Sequence, residues 1–260
     1  MIVCSGSSLD TGLPSGDVFP SPYDSSSPSA RGPNLVSEVG TTVAPVDMDS
    51  DIEDWLTDTR VSYDTVAASY ADQMREALDG APYVRAALAL LAEKVRLAGG
   101  GSVADVGCGP GHVTAHLRGL GLDAFGIDLS PTMIDVARRE YPDVRFEVGS
   151  MTELDLPDAS VAGLLAFWSL VHIPDSALPE VFAQFRRVLR PGGPLVVGFH
   201  VGEGSRLKSE GYGGHPMKVY VHRRQPAELA ALIHEAGFTV EAQLLLSPDA
   251  EVPGAVLFAG

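Results

Sequence analysis

Residues 103–114 read VADVGCGPGHVT: an apolar run of strand length, a turn carrying Gly107, Gly109 and Gly111, and the opening of a helical pattern. Strand, glycine turn and helix in that order make the first unit of a parallel α/β sheet. The alternate glycines let the backbone bend sharply and approach a ligand with no Cβ between, and the helix behind them presents unpaired N–H groups. Ligands of open parallel sheets sit beyond the carboxyl ends of the strands, where the strand order reverses. This turn is therefore the first candidate site.

Outward from it the alternation continues. Before the turn, residues 81–97 place Val84, Leu88, Leu91 and Val95 on one helical stripe, closed by Gly99 to Gly101, and the strand occupies 102–106. After it, a helix over 112–120 and a strand over 123–128 follow, then Ser130 and Pro131 as N-cap and first residue of a helix through Arg139. Further strands are read at 144–148 and 161–167, the second so continuously apolar that it belongs at the sheet centre, buried on both faces. Leu178, Val181, Phe182, Phe185 and Leu189 stripe the next helix, and RPGG (190–193) closes it before a strand over 194–200. A glycine-rich loop over 202–216 breaks the pattern and is long enough to be functional. A strand over 217–222, a helix over 226–236 and strands over 239–246 and 254–259 complete the chain.

Residues 1–46 are crowded with Ser, Pro, Gly and Asp and show no periodicity, so they are expected to form a disordered tail to one folded domain over 47–260. Met48, just before a helix-like acidic stretch, offers an alternative translation start. The formal net charge of −16 opposes binding to nucleic acid. The pairs Arg138–Arg139 and Arg186–Arg187 read as solvated helix faces rather than a basic patch. Two cysteines, Cys4 and Cys108, are too few for a disulfide framework or a cysteine zinc site. No run of about 18 apolar residues exists to span a bilayer, and the N-terminus lacks the marks of a secretory signal. The expectation is a cytoplasmic protein, monomer or homodimer, with no membrane or metal.

Glycine turns of this kind also hold dinucleotides, but three residues argue otherwise. His112 stands where the dinucleotide pattern wants a third glycine; Asp105 would crowd a pyrophosphate but suits an ammonium group; Asp128 can accept from both hydroxyls of a ribose. With DVGCGPG (105–111), GIDLSPTMI (126–134), LLAFWSLVHIPD (164–175), RVLRPGG (187–193) and YDTVAASY (63–70) in this order, the chain resembles the class I S-adenosylmethionine-dependent methyltransferases, of the small-molecule kind. The resemblance implies a Rossmann-like three-layer sandwich, with a mostly parallel seven-stranded sheet whose last strand is antiparallel. It implies S-adenosylmethionine as cofactor, with Gly107 and Gly109 at its methionine part, Asp128 at the ribose, Leu129 and Met133 at the adenine edge, and Met151 at the adenine face or its polar rim. Ser150 departs from the pattern, since many relatives carry an acid there. The alternative for Asp105, Asp128 and the glycines is plain turn geometry.

Tyr63, Tyr70, Phe167 and Trp168 lie on segments that such enzymes use around the sulfonium, with core packing the alternative for Trp168. If the acceptor must lose a proton, His172 or His200 is the candidate base, and a structural role for the histidine in HIPD is the alternative. His112 is read as capping or packing its helix, while Tyr212, His215, Tyr220 and His222 are lesser candidates. Arg206, Lys208 and Lys218 would either pair with an anionic acceptor or lie solvated in their loop. The expected activity is methyl transfer to a small molecule, with a secondary metabolite as the candidate acceptor. The competing readings are an NAD(P)-dependent oxidoreductase, a non-catalytic S-adenosylmethionine-binding protein, and a pocket that catalyses cyclisation.

Overall fold

The computed structural model describes residues 48–260, with side chains from 55 onward; the tail expected over 1–46 lies outside the described residues. Helix α1 (Met48–Met74) leads through turns into α2 (Pro82–Leu97). The alternating units follow as β1 (Ser102–Val106), α3 (His112–Gly119), β2 (Asp123–Asp128), α4 (Pro131–Glu140), β3 (Phe146–Val148) and β4 (Gly163–Phe167). Two short 3-10 turns then precede α5 (Leu178–Val188), β5 (Leu195–His200), β6 (Ser205–Gly211), β7 (His215–His222), α6 (Pro226–Glu235), β8 (Val240–Leu246) and β9 (Gly254–Ala259).

Seven strands form one sheet in the order β3-β2-β1-β4-β5-β9-β8. The strands β1 to β5 pair in parallel, and β9 runs antiparallel to both its neighbours. The expected mostly parallel sheet with an antiparallel last strand is therefore what forms. From β1 the chain steps outward to β2 and β3, then crosses back to lay β4 on the other side of β1. That reversal opens a crevice above the carboxyl ends of β1 and β4.

Alternate residues of each central strand serve opposite faces. Ala104, Leu164 and Val197 pack on one side with Phe182, Phe185 and Ile233 of α5 and α6; Val103, Leu165 and Val196 pack on the other with Leu88, Leu91 and Leu117 of α2 and α3. This two-sided burial is the reason for the unbroken apolar run in β4. Two strands are shorter than the sequence predicted: β3 begins at Phe146, and Val161, read as the start of β4, makes only an isolated bridge to Leu189.

The glycine-rich segment departs from expectation more strongly. It is a β-hairpin, β6 paired antiparallel with β7 in a second, two-stranded sheet. Gly213 and Gly214, at φ 95° and 84°, turn its tip, so glycines read as looseness are the corner of a hairpin. The hairpin packs on α1: Lys218 N–H donates to Ser62 Oγ at 2.8 Å, and Tyr212, Met217 and Val219 join Val66 in a small core. Arg224, 5% exposed at its foot, donates to the carbonyls of Leu170 and Ile173 and to Asp175. Two arginines read as solvated are likewise structural. Arg187 donates to the carbonyls of Leu154 and Leu156, and Arg138 to that of Phe146.

Candidate active site

The turn after β1 is stitched to the end of β2, because the N–H groups of Gly107 and Cys108 both donate to the Ile127 carbonyl, at 2.7 and 3.1 Å. Gly107 has φ 77°, and a Cβ there would stand 2.2 Å from the Ser169 Cβ, so no side chain fits. Ser169 is itself fixed by donating to the Val106 carbonyl at 2.7 Å. Gly111, at φ 84°, caps α3 against the Phe146 ring. A Cβ at Gly109 would meet only the Tyr70 ring, in ordinary contact at 3.7 Å.

Two carboxyl groups flank this turn. Asp128 accepts the Gly109 N–H at 2.7 Å on one oxygen and the Ser130 N–H at 2.9 Å on the other. It is half-buried on the cavity wall, and burial pushes it up to about 6 against the pull of those two donors. Asp105, 1% exposed, takes the Thr114 hydroxyl at 2.7 Å. Burial raises it to about 7, opposed by the Thr114 bond and helped by the charge of Asp128. Both acids exceed their unfolded values of about 4. They therefore oppose folding of the ligand-free chain increasingly as pH rises towards about 7.

The helix α1 closes the site from above. Asp64 accepts from the Ser130 hydroxyl at 2.6 Å and from the Thr132 N–H at 3.1 Å, which ties α1 to the start of α4. The Ser130 hydroxyl also caps α4 by accepting the Met133 N–H at 3.0 Å. From the same helix, Tyr63 and Tyr70 meet edge to face at 5.9 Å, and the Tyr63 hydroxyl lies 2.6 Å from His172 Nε2.

Hydrogen-bond partners fix the histidine tautomers. A carbonyl only accepts, so the 2.8 Å contact between His172 Nδ1 and the Tyr220 oxygen places a proton on Nδ1. Burial lowers His172 to about 4, so the ring is neutral at pH 7 and its Nε2 accepts the Tyr63 hydroxyl proton. His200 is arranged the opposite way: the Trp168 indole N–H donates to its Nδ1 at 3.3 Å. Burial lowers His200 to about 4 as well, so the neutral ring carries its proton on Nε2.

A cavity of about 680 Å³ runs over the carboxyl edge of the sheet, and every residue assigned to the cofactor lines it together with His172 and His200. Asp105, Gly107 and Gly109 stand at the tip of β1, Asp128, Leu129 and Met133 after β2, and Ser150 and Met151 after β3. Phe167, His172 and His200 line it from the ends of β4 and β5, with Tyr63 and Tyr70 above. The Ser150 hydroxyl lies 2.7 Å from that of Thr152. His112 also lines the cavity, with its Nδ1 buried and without a partner among the described residues.

Other readings fail. None of Arg206, Lys208 and Lys218 reaches the cavity wall. Lys208 lies over the Tyr212 ring, 4.1 Å from its centroid, and Lys218 pairs with Asp58 at 2.7 Å. Tyr212, His215, Tyr220 and His222 are also outside the wall, though the Tyr220 carbonyl orients His172. Sequence reasoning missed Trp55 and Arg60 on α1, Tyr83 at the start of α2, and the turn between β8 and β9, all of which line the cavity. The apolar run of Leu244 to Leu246, ending in Ser247 and Pro248 at a strand tip, was the one available signal for that turn.

Among the described residues, no three His, Cys, Asp or Glu side chains group to hold a metal ion, and no helix is long and apolar enough to cross a membrane. The strand order, the glycine turn and the acid at the tip of β2 together define the architecture of the class I, Rossmann-like methyltransferases. Residues 103–193 match the family model described as "Methyltransferase domain". A probable S-adenosylmethionine-dependent methyltransferase of Mycolicibacterium smegmatis is 33% identical over 144 residues, 55% of this chain and 53% of that protein; the chain thus spans about half the length of this curated relative. Among solved structures, the 1,6-didemethyltoxoflavin-N1-methyltransferase of Burkholderia thailandensis aligns with a TM-score of 0.61 at 23% identity, over 84% of this chain and 92% of that one. The [4+2]-cyclase SpnF aligns at 0.59 and 19% identity, over 78% and 95%. At such identities the likeness is one of fold.

Proposed function

We propose that this protein transfers a methyl group from S-adenosylmethionine to a small-molecule acceptor. The observation that carries the reading is the placement of two carboxyl groups, buried Asp105 and half-buried Asp128, beside a glycine turn on the cavity wall, inside the segment that matches the methyltransferase domain. The donor set fits the cofactor's chemistry. A carboxylate on the cavity wall with acceptor capacity left on each oxygen suits a vicinal diol, and a second suits an ammonium.

Asp128 would hold the ribose, Asp105 the amino group, and Leu129, Met133 and Met151 the adenine, with Ser150 at its polar rim. Arg60 is the one cation among the described wall residues and is assigned to the carboxylate of the methionine part. When bound, S-adenosylmethionine supplies a methyl group activated by a sulfonium. The protein's own work is to align the acceptor and exclude water, with Tyr63, Tyr70 and Phe167 presenting aromatic faces to the positive centre.

Proton removal falls to Tyr63 and His172 acting together. The acceptor's proton passes to the Tyr63 oxygen while the tyrosine's own proton moves to His172 Nε2, and the Tyr220 carbonyl steadies the resulting imidazolium at Nδ1. His200 is assigned to holding Trp168, because one of its nitrogens accepts the indole N–H and the other bears the proton. Tyr63→Phe is expected to lower kcat by about 100-fold or more, with S-adenosylhomocysteine affinity changed only a few-fold. His172→Ala should match it. An unaltered kcat in both would retire the relay.

Isothermal titration with S-adenosylhomocysteine and with NAD tests the cofactor reading, and preference for NAD would overturn it. The same titration has a pH signature. An ammonium group favours ionised carboxylates, and Asp105 and Asp128 are largely protonated below about pH 6. S-adenosylhomocysteine should therefore bind about tenfold or more weakly at pH 5.5 than at pH 8. A flat profile would separate Asp105 from the amino group.

A further inference from the structure

The cavity continues past the two carboxyl groups, along the sheet edge, to the tips of β4 and β5 and the turn between β8 and β9. Here the wall is made by Trp168, His200, Leu244, Leu246, Pro248 and Val252, none of them charged at neutral pH. The charged wall residues, Asp105, Asp128 and Arg60, come from β1, β2 and α1. Of the hairpin's cations, Lys208 lies over Tyr212 and Lys218 pairs with Asp58, and no Asp, Glu, Lys or Arg side chain lines this half of the wall, so an unpaired carboxylate or ammonium there would be costly to desolvate.

Trp168 is the fixed feature of this half. Its backbone sits at φ 53°, a left-handed conformation that a bulky residue adopts only when its surroundings impose it. Three of those surroundings are visible. Its N–H donates to the Gly198 carbonyl at 2.8 Å, and its indole N–H donates to His200 Nδ1. Its ring lies over two places where the paired strands β5 and β9 carry no side chain. A Cβ at Gly198 would stand 2.7 Å from Cζ3 of the ring, and one at Gly254 would stand 3.0 Å from Cζ2. A large aromatic face is thus seated on glycines, oriented by a histidine and presented to the cavity. On α1, the Trp55 Nε1 atom is buried in the same cavity's wall and has no partner among the described residues. A buried donor of this kind is normally satisfied, so a ligand is its expected partner.

We propose that the acceptor is a flat, uncharged, largely apolar molecule, an aromatic ring system stacked on Trp168 with a hydrogen-bond-accepting atom towards Trp55, and that Trp168 determines this specificity. The proposal names the substrate class of the site described above, and so rests on that reading.

The test is calorimetry on protein saturated with S-adenosylhomocysteine, using 1-naphthol and flavone as neutral probes and 1-hydroxy-2-naphthoate as the charged one. At least one neutral probe should bind, at least tenfold more tightly than the carboxylate. Trp168→Ala should weaken the neutral probe at least fivefold while S-adenosylhomocysteine affinity stays within twofold. Should that variant fold poorly, Gly254→Ala presses on the indole from below and should weaken the probe at least threefold. Equal or tighter binding of the carboxylate, no binding of either neutral probe, or unchanged probe affinity in the folded variants would each overturn the proposal. If the wild type fails to bind S-adenosylhomocysteine, the cofactor reading falls instead, and the same probes titrated onto the ligand-free protein still decide the matter by the same criteria.

Discussion

Replacing Asp128 with alanine is expected to weaken S-adenosylhomocysteine binding by about 30- to 1000-fold, roughly 2 to 4 kcal/mol. The carboxylate has two tasks. It offers its remaining acceptor capacity to a diol, and it holds the glycine turn by accepting the N–H groups of Gly109 and Ser130. Alanine removes the charge-assisted bonds to the ligand and also frees two backbone donors, loosening the turn that shapes the crevice. Asparagine should recover little, because it keeps one acceptor oxygen and sets an N–H₂ group against one of the two backbone donors. Calorimetry gives the affinity, and circular dichroism establishes that the variant is folded. Binding equal to wild type would show that the ribose is held elsewhere.

Gly107→Ala should act through the backbone. Only glycine adopts φ 77° cheaply, and the added methyl would overlap the Ser169 Cβ at 2.2 Å. Ser169 has little room to retreat because its hydroxyl is bonded to the Val106 carbonyl. Strain and overlap together should cost about 3 kcal/mol or more in unfolding free energy and abolish cofactor binding. Denaturant unfolding followed by circular dichroism measures the first, and titration the second. A midpoint within error of wild type would mean that the turn takes a different course past β4.

The elements read correctly from sequence share a property: they are local. A strand, three glycines and a helix start within 103–114 dictate their own conformation, and Asp128 marks the end of an apolar strand whatever lies around it. The parts that were not legible depend on pairs distant in the chain. Nothing in the sequence says that Asp64 would reach Ser130, or that the Tyr220 carbonyl would set the tautomer of His172. The hairpin hid because its strands carry Arg206, Lys208 and Glu210, and its glycines look like looseness when the pairing partner is unknown. Trp168 stayed ambiguous between core and site for the same reason, since its seat on Gly198 and Gly254 brings together strands more than fifty positions apart in the chain.

The chain contains two tryptophans, and both Trp55 and Trp168 stand in the cavity wall. The indole emission of the protein therefore originates in the cavity wall, with no tryptophan elsewhere to dilute the signal. Occupancy can be followed in unlabelled protein by excitation near the indole band, and swapping either ring for phenylalanine assigns the change to the roof or to the floor.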